Sequence, residues 1–190
     1  MVSKLAATYS ALLKRRPMAT NGMQGAVLCG AGDLLAQQLE GQHEADSWRC
    51  ASAAAVGVGF GAFAYPIAYR VLDSRWPGSS MRAVVTKALA EVATLGTVGN
   101  AGSIGARGFL EGRGSSAVST QLWHEMPAVL LNELRVWLPY NVVAFALIPA
   151  HLRPGATMLV EACWVTYISL VAHRPHERSG LGAGEAKADH

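Results

Sequence analysis

Between Arg49 and Arg70 the chain reads CASAAAVGVGFGAFAYPIAY, without one charged side chain. As a helix rising about 1.5 Å per residue, this run of roughly 20 residues reaches about 30 Å, the thickness of a bilayer's hydrocarbon layer. Trp48 and Trp76 flank it, where amphipathic rings settle at the two membrane–water interfaces. Composition points the same way. Only 15% of residues are charged while 51% are apolar, whereas a water-soluble domain carries about 25% charged residues. An apolar core alone does not need so few charges; a lipid-facing surface does. The competing reading is a soluble helical bundle with an unusually apolar core. At 190 residues the chain suits one domain.

Other apolar runs follow the same logic. Gly22 to Leu39 contains Asp33; a run after Lys87 to about Ala106 contains Glu91; Leu134 to Ile148 contains Arg135 and Asn141; Ala156 to Ala172 contains Glu161. The expected fold is all-α, a polytopic membrane bundle of four or five transmembrane helices with short interfacial helices. One membrane-embedded domain is expected over 1–174, with a disordered, charged and glycine-rich tail over 175–190. Gly108 to Thr120 reads as a loop, Gln121 to Glu133 as an interfacial helix carrying Trp123 and Pro127, and Leu152 to Gly155 as a break. Lys14, Arg15, Arg16, Arg70, Arg75, Arg82 and Lys87 fall on one side of the first three spans, which puts the N-terminus on a cytosolic or matrix-like face. The acid-free N-terminus, with Leu5, Tyr9, Leu12 and Leu13 able to share a face, is mildly like a mitochondrial targeting helix. A net charge of +3 with no aromatic-laced basic stripe gives no reason to expect nucleic acid.

Little suggests catalysis. Cys29, Cys50 and Cys163 lie far apart, form no CxxC pair, and read as small buried apolar side chains. His124-Glu125 opens like HExxH, but position 128 is Ala128, so the second zinc ligand is missing. GxSxG is absent. No enzyme activity, metal or cofactor is expected.

The glycines at 96, 99, 102, 105 and 108 invite three readings. Collagen fails for lack of proline, and neither a Walker loop nor a dinucleotide fingerprint matches. Small residues let helix backbones approach in lipid, where no hydrophobic force drives helices together. Gly57 and Gly61 form a GxxxG pair for this purpose, and Gly96, Gly99 and Gly102 suggest a closely packed helix that loosens toward its end. The acids Asp33, Glu91 and Glu161 would each cost roughly 2.5–3.5 kcal/mol facing lipid, so they should face inward, with Arg135 or Lys87 as partners. They line either a passage or an interhelical ion pair.

Against this background a family pattern stands out. Tyr9, Leu12, Pro17 and GDLLAQQL (Gly32 to Leu39) come first; YRVLD (Tyr69 to Asp73), Pro77-Gly78 and Lys87 follow. Near the C-terminus Trp137, Phe145, Pro149 and Arg153 keep a fixed spacing, then WVTYIS supplies Trp164, Tyr167 and Ser169. From Leu5 to Arg174 the chain resembles the family of the Mpv-seventeen and twenty-two-kilodalton peroxisomal membrane proteins. It departs from that pattern at Leu138, Asn141, Ala144 and Glu91-Val92, all polar or bend positions in the family. The resemblance implies an integral organelle membrane protein, usually described with four spans, and a channel or metabolite conduit in organelle homeostasis. The expected location is the mitochondrial inner membrane, with the peroxisomal membrane second. Asp33, Glu91, Asn141 and Arg153 are the candidate polar lining, with Pro66, Pro139 and Pro149 bending the helices. Expected partners are the lipid bilayer, small solutes or ions, and a homo-oligomer or membrane complex. The alternative is a non-conducting scaffold that stabilises such a complex.

Overall fold

The computed structural model describes the backbone of residues 2–173 and the side chains of Thr8, Tyr9 and 11–173. The expected tail over 175–190, and the side chain of Leu5, lie outside the described residues. Among those described, every regular element is helical. α1 spans Val2–Arg15 and α2 Pro17–Leu39; Pro17 suits the first turn of α2, where its missing N–H has no acceptor to lose. Asp46 then caps α3 (Ser47–Gly59) by accepting from the Trp48 and Arg49 amides. A π-helical stretch, Phe60–Ala64, joins α3 to α4 (Tyr65–Arg75). Pro66 sits just beyond that stretch and cannot donate to the ladder, a condition under which a helix widens. Ser80 caps α5 (Met81–Glu91). A second π stretch, Val92–Gly99, leads into α6 (Asn100–Leu110), followed by α7 (Ser115–Leu147) and α8 (Arg153–Ala172).

Two continuous helices, Ser47–Arg75 and Arg153–Ala172, are long and apolar enough to cross a membrane, each with a window of mean hydropathy 1.5. The first contains the uncharged run between Arg49 and Arg70. Two other expectations are corrected. The loop between α6 and α7 is confined to 111–114, and residues 121–133 form no separate interfacial helix, because α7 runs unbroken for 33 residues through Pro127 and Pro139. Gly108 had suggested a turn. It is glycine because a Cβ there would lie 2.6 Å from the Val118 side chain, at a close crossing of α6 and α7.

α2 lies against α3 and α8, and α7 against α5 and α6. The α2–α3 crossing brings backbone onto backbone. A Cβ on Gly25 would stand 2.1 Å from the Gly57 carbonyl oxygen, and one on Gly61 would stand 2.2 Å from that of Asn21. Gly96 admits the Glu133 side chain and Gly99 the Phe60 ring, whereas Gly102 faces open space and packs against nothing. The glycine stretch thus loosens at its start, in the π turns, and ends as ordinary α-helix.

Charged side chains lie inside this bundle, alongside two apolar clusters, and large apolar side chains lie on its surface. Met23, Val27, Ile67, Val98, Leu147 and Leu159 face outward, while Asp33, Arg49, Lys87, Glu91, Arg107, Glu133 and Glu161 are buried. Charged residues are almost never fully buried in water-soluble domains unless paired; buried charge beneath exposed apolar side chains suits a surrounding of acyl chains. The cysteines depart from expectation too. Only Cys29 is buried, and Cys163 is exposed.

Candidate functional site

Three carboxyl groups meet in the middle of the bundle. Glu91 arrives from the end of α5, Glu133 from α7 and Glu161 from α8, all buried. Their partners are neutral. Asn141 Nδ2 donates to Glu91. Asn100 Nδ2 donates to Glu133 at 2.8 Å and to the Gly96 carbonyl at 2.6 Å, while Trp164 Nε1 donates to Asn100 Oδ1 at 2.9 Å. The Tyr65 hydroxyl donates to Glu161 at 2.7 Å. Among the described residues no cation lies within ion-pair distance of any of the three. They border a cavity of about 20 Å³, shared with Tyr65, Asn100 and Trp137, room for about one water molecule. Trp137 Nε1 in its wall, and Asn141 Oδ1 behind Glu91, are buried without a protein partner.

From this chamber a hydroxyl cluster, Tyr69 and Tyr140 both on Thr157 at 2.8 and 3.0 Å, leads toward one end of the bundle. There Asp73 holds Lys87 at 2.9 Å and Arg153 at 2.6 Å, and both cations stand 5.0 Å from the Phe145 ring centroid. Arg153 also donates to the Ile148 carbonyl at 2.9 Å, which ties the α7–α8 turn, including Pro149, to the helices.

A second ion network closes the opposite end. Asp33 accepts from Arg49 at 3.1 Å, Arg107 at 2.7 Å and Gln37 at 2.9 Å. Arg107 also donates to Ser169 at 2.6 Å, and Arg49 reaches Glu40 at 2.5 Å. Just beyond α6, Glu111 accepts from Ser52 at 2.6 Å and lies 2.9 Å from His173. Burial pushes the Glu111 carboxyl's pKa up, but the His173 and Ser52 hydrogen bonds and the nearby His173 and Arg107 charges outweigh it and bring it from 4.5 down to about 2. A carboxyl whose pKa falls on folding contributes stability above its unfolded value and loses it as pH drops toward the folded one. The stability gap between the native chain and Glu111→Gln is therefore expected to be full at neutral pH and to shrink between pH 4.5 and about 2. Denaturation curves across that window check it, and a gap constant with pH contradicts it.

Of the candidate lining, Glu91 and Asn141 meet at the chamber, while Asp33 and Arg153 are held in ion networks at opposite ends. Arg135 is exposed and bonds Asn132, and Lys87 takes Asp73, so neither partners the central acids. Glu133, Asn100, Tyr65 and Arg107 were not anticipated. A signal for Glu133 existed: Glu133, Trp137, Asn141 and Phe145 recur every fourth residue along one face of α7. The family-signature side chains gather about the same features. Trp137 and Trp164 meet edge to face at 6.1 Å beside the chamber, Tyr167 accepts from Asn132, and Ser169 receives Arg107.

The Mpv17 / PMP22 family matches residues 108–169, the stretch that carries Glu133, Trp137, Asn141 and Glu161. The chain is 26% identical over 169 residues to the mitochondrial inner membrane protein Mpv17 of Bos taurus, covering 87% of this chain and 96% of that one. It is 26% identical over 177 residues to PXMP2/4 family protein 2 of Dictyostelium discoideum, covering 89% and 91%. It is likewise 26% identical over 175 residues to protein SYM1 of Saccharomyces cerevisiae, covering 87% and 89%. No solved structure matches. With relatives aligned along nearly their whole length and a family model matching residues 108–169, the chain is similar to the Mpv17 / PMP22 family.

Proposed function

We propose that the protein is a small channel or metabolite conduit, and that it acts without catalysis. Its membrane is the mitochondrial inner membrane, as for the Mpv17 relatives. The rods 17–39, 47–75, 81–110, 115–147 and 153–172 cross the bilayer in alternating directions. Trp48 bonding the Leu110 carbonyl at 2.7 Å and His173 beside Glu111 mark one end; Arg153 on Asp73 marks the other. One observation carries the functional reading: three carboxyl groups from three helices converge on one buried cavity with amide and hydroxyl partners instead of cations. A structural clamp pairs its charges, as Asp33 does with Arg49 and Arg107. A polar interior left without counter-ions fits a place that mobile charge visits.

Purified protein in planar bilayers is expected to pass current, and Glu91→Gln to shift its preference between cations and anions. Silent bilayers with insertion verified would overturn the proposal. The second reading, a non-conducting scaffold, draws on the saturated ion networks at both ends. It expects Glu91→Gln to change bundle stability or recovery of a membrane complex while flux stays the same.

A further inference from the structure

A pocket of about 500 Å³ opens at the end of the bundle where α1 meets α2. Lys14 and Asn21 reach it from that junction, Tyr69, Arg70 and Asp73 from α4, and His151 from the α7–α8 turn; the rest of its wall is apolar. Its charge is lopsided. Asp73 is already matched by Lys87 and Arg153. Lys14 and Arg70 are exposed and make no ion pair among the described residues. The one carboxylate in the wall is thus already matched from outside the pocket, while two permanent cations in the wall, Lys14 and Arg70, are not. A further feature points to a ligand: Asn21 is only 3% exposed, yet its side-chain Oδ1 has no hydrogen-bond partner. A buried amide oxygen without a donor is costly, and this one belongs to a residue of the pocket wall.

We propose that this pocket binds the headgroup of an anionic phosphodiester lipid that carries a hydroxyl. Lys14 and Arg70 take the phosphate, Asn21 turns its now-buried Oδ1 into the pocket to accept from the headgroup hydroxyl, and the apolar wall meets the glycerol ester region. The chemistry is that of basic pockets between transmembrane helices, which select anionic headgroups. It does not depend on whether the central chamber conducts.

The test is native mass spectrometry of the full chain in neutral detergent, titrated with dioleoylphosphatidylglycerol, dioleoylphosphatidylcholine or dioleoylphosphatidylmethanol. Phosphatidylglycerol is expected to be retained in preference to phosphatidylcholine. The double variant Lys14→Gln/Arg70→Gln should weaken phosphatidylglycerol binding about thirtyfold at low salt, at ~1 kcal/mol per basic side chain, and leave phosphatidylcholine unchanged. Both side chains are exposed, so the variant should keep its fold, which circular dichroism checks. Asn21→Leu should erase the advantage of phosphatidylglycerol over phosphatidylmethanol, whose headgroup lacks the hydroxyl. Equal retention of phosphatidylglycerol and phosphatidylcholine, or undiminished binding by the double variant, overturns the proposal. Displacement of the lipid by an equal concentration of glycerol 3-phosphate also overturns it, and assigns the pocket to a soluble phosphate ester.

Discussion

Gly57→Val is expected to force α2 and α3 apart and lower the thermal midpoint of the detergent-solubilised protein by roughly 10 °C. A Cβ at this position would stand 2.3 Å from the Gly25 carbonyl oxygen and 2.8 Å from the Cys29 Cβ. The obstacle is backbone, which no rotamer change can move aside. Gly25 makes the reciprocal contact on the Gly57 carbonyl, so the two helices must separate as bodies and lose the dispersion contacts that hold them in lipid. Overpacking of this kind costs about 3 kcal/mol, and each kcal/mol moves the midpoint of a chain this size by about 2–4 °C. Gly59, two residues on, has open space where its Cβ would go. Gly59→Ala should be neutral or raise stability by about 0.5–1 kcal/mol. Equal midpoints for Gly57→Val and Gly59→Ala would show that the crossing does not depend on glycine.

The second large effect is expected from Arg107→Met. This side chain is 1% exposed and joins Asp33 on α2 to Ser169 on α8. Removing it leaves Asp33 fully buried with Arg49 as its remaining cation, and breaking a buried pair from one side costs about 3–5 kcal/mol. Asp33→Asn combined with Arg107→Met removes both charges. If the penalty comes from a stranded charge, the double variant will be more stable than Arg107→Met alone; a double variant that is worse by the sum of the two single changes would contradict this. Chemical denaturation in detergent measures all three.

Both predictions rest on contacts of unequal visibility in the sequence. The Trp48–Leu72 run was legible because its length and lack of charge need no partner to be understood, and Gly57-Gly61 because the GxxxG spacing names its own use. α7 was harder. Pro127 lies in a stretch that reads as a separate interfacial helix and Pro139 reads as a bend, yet a helix supported by neighbours on several sides tolerates both lost bonds and runs on. Glu133 escaped notice as the last residue of a segment read as interfacial, although its four-residue spacing to Trp137 and Asn141 was present. The need for Asp33 to face inward was readable from cost alone. Its pairing with Arg107 was not, since 74 residues separate them and no local pattern spans that distance. Arg135 had looked like a suitable cation by its position within an apolar run, but rotation around α7 turns it outward.

The arrangement of acid and base along the chain also bears on the order in which this protein can enter its membrane. Asp33 and Arg49 are 16 residues apart on consecutive helices, so the first hairpin can go in with its charges already matched. Arg107 finds only a looser local partner in Glu111, four residues on at 3.5 Å, and its close one, Asp33 at 2.7 Å, is on the hairpin. The 100–110 segment therefore gains its full neutralisation only by seating against an established neighbour, which makes it a follower in assembly and the hairpin its template.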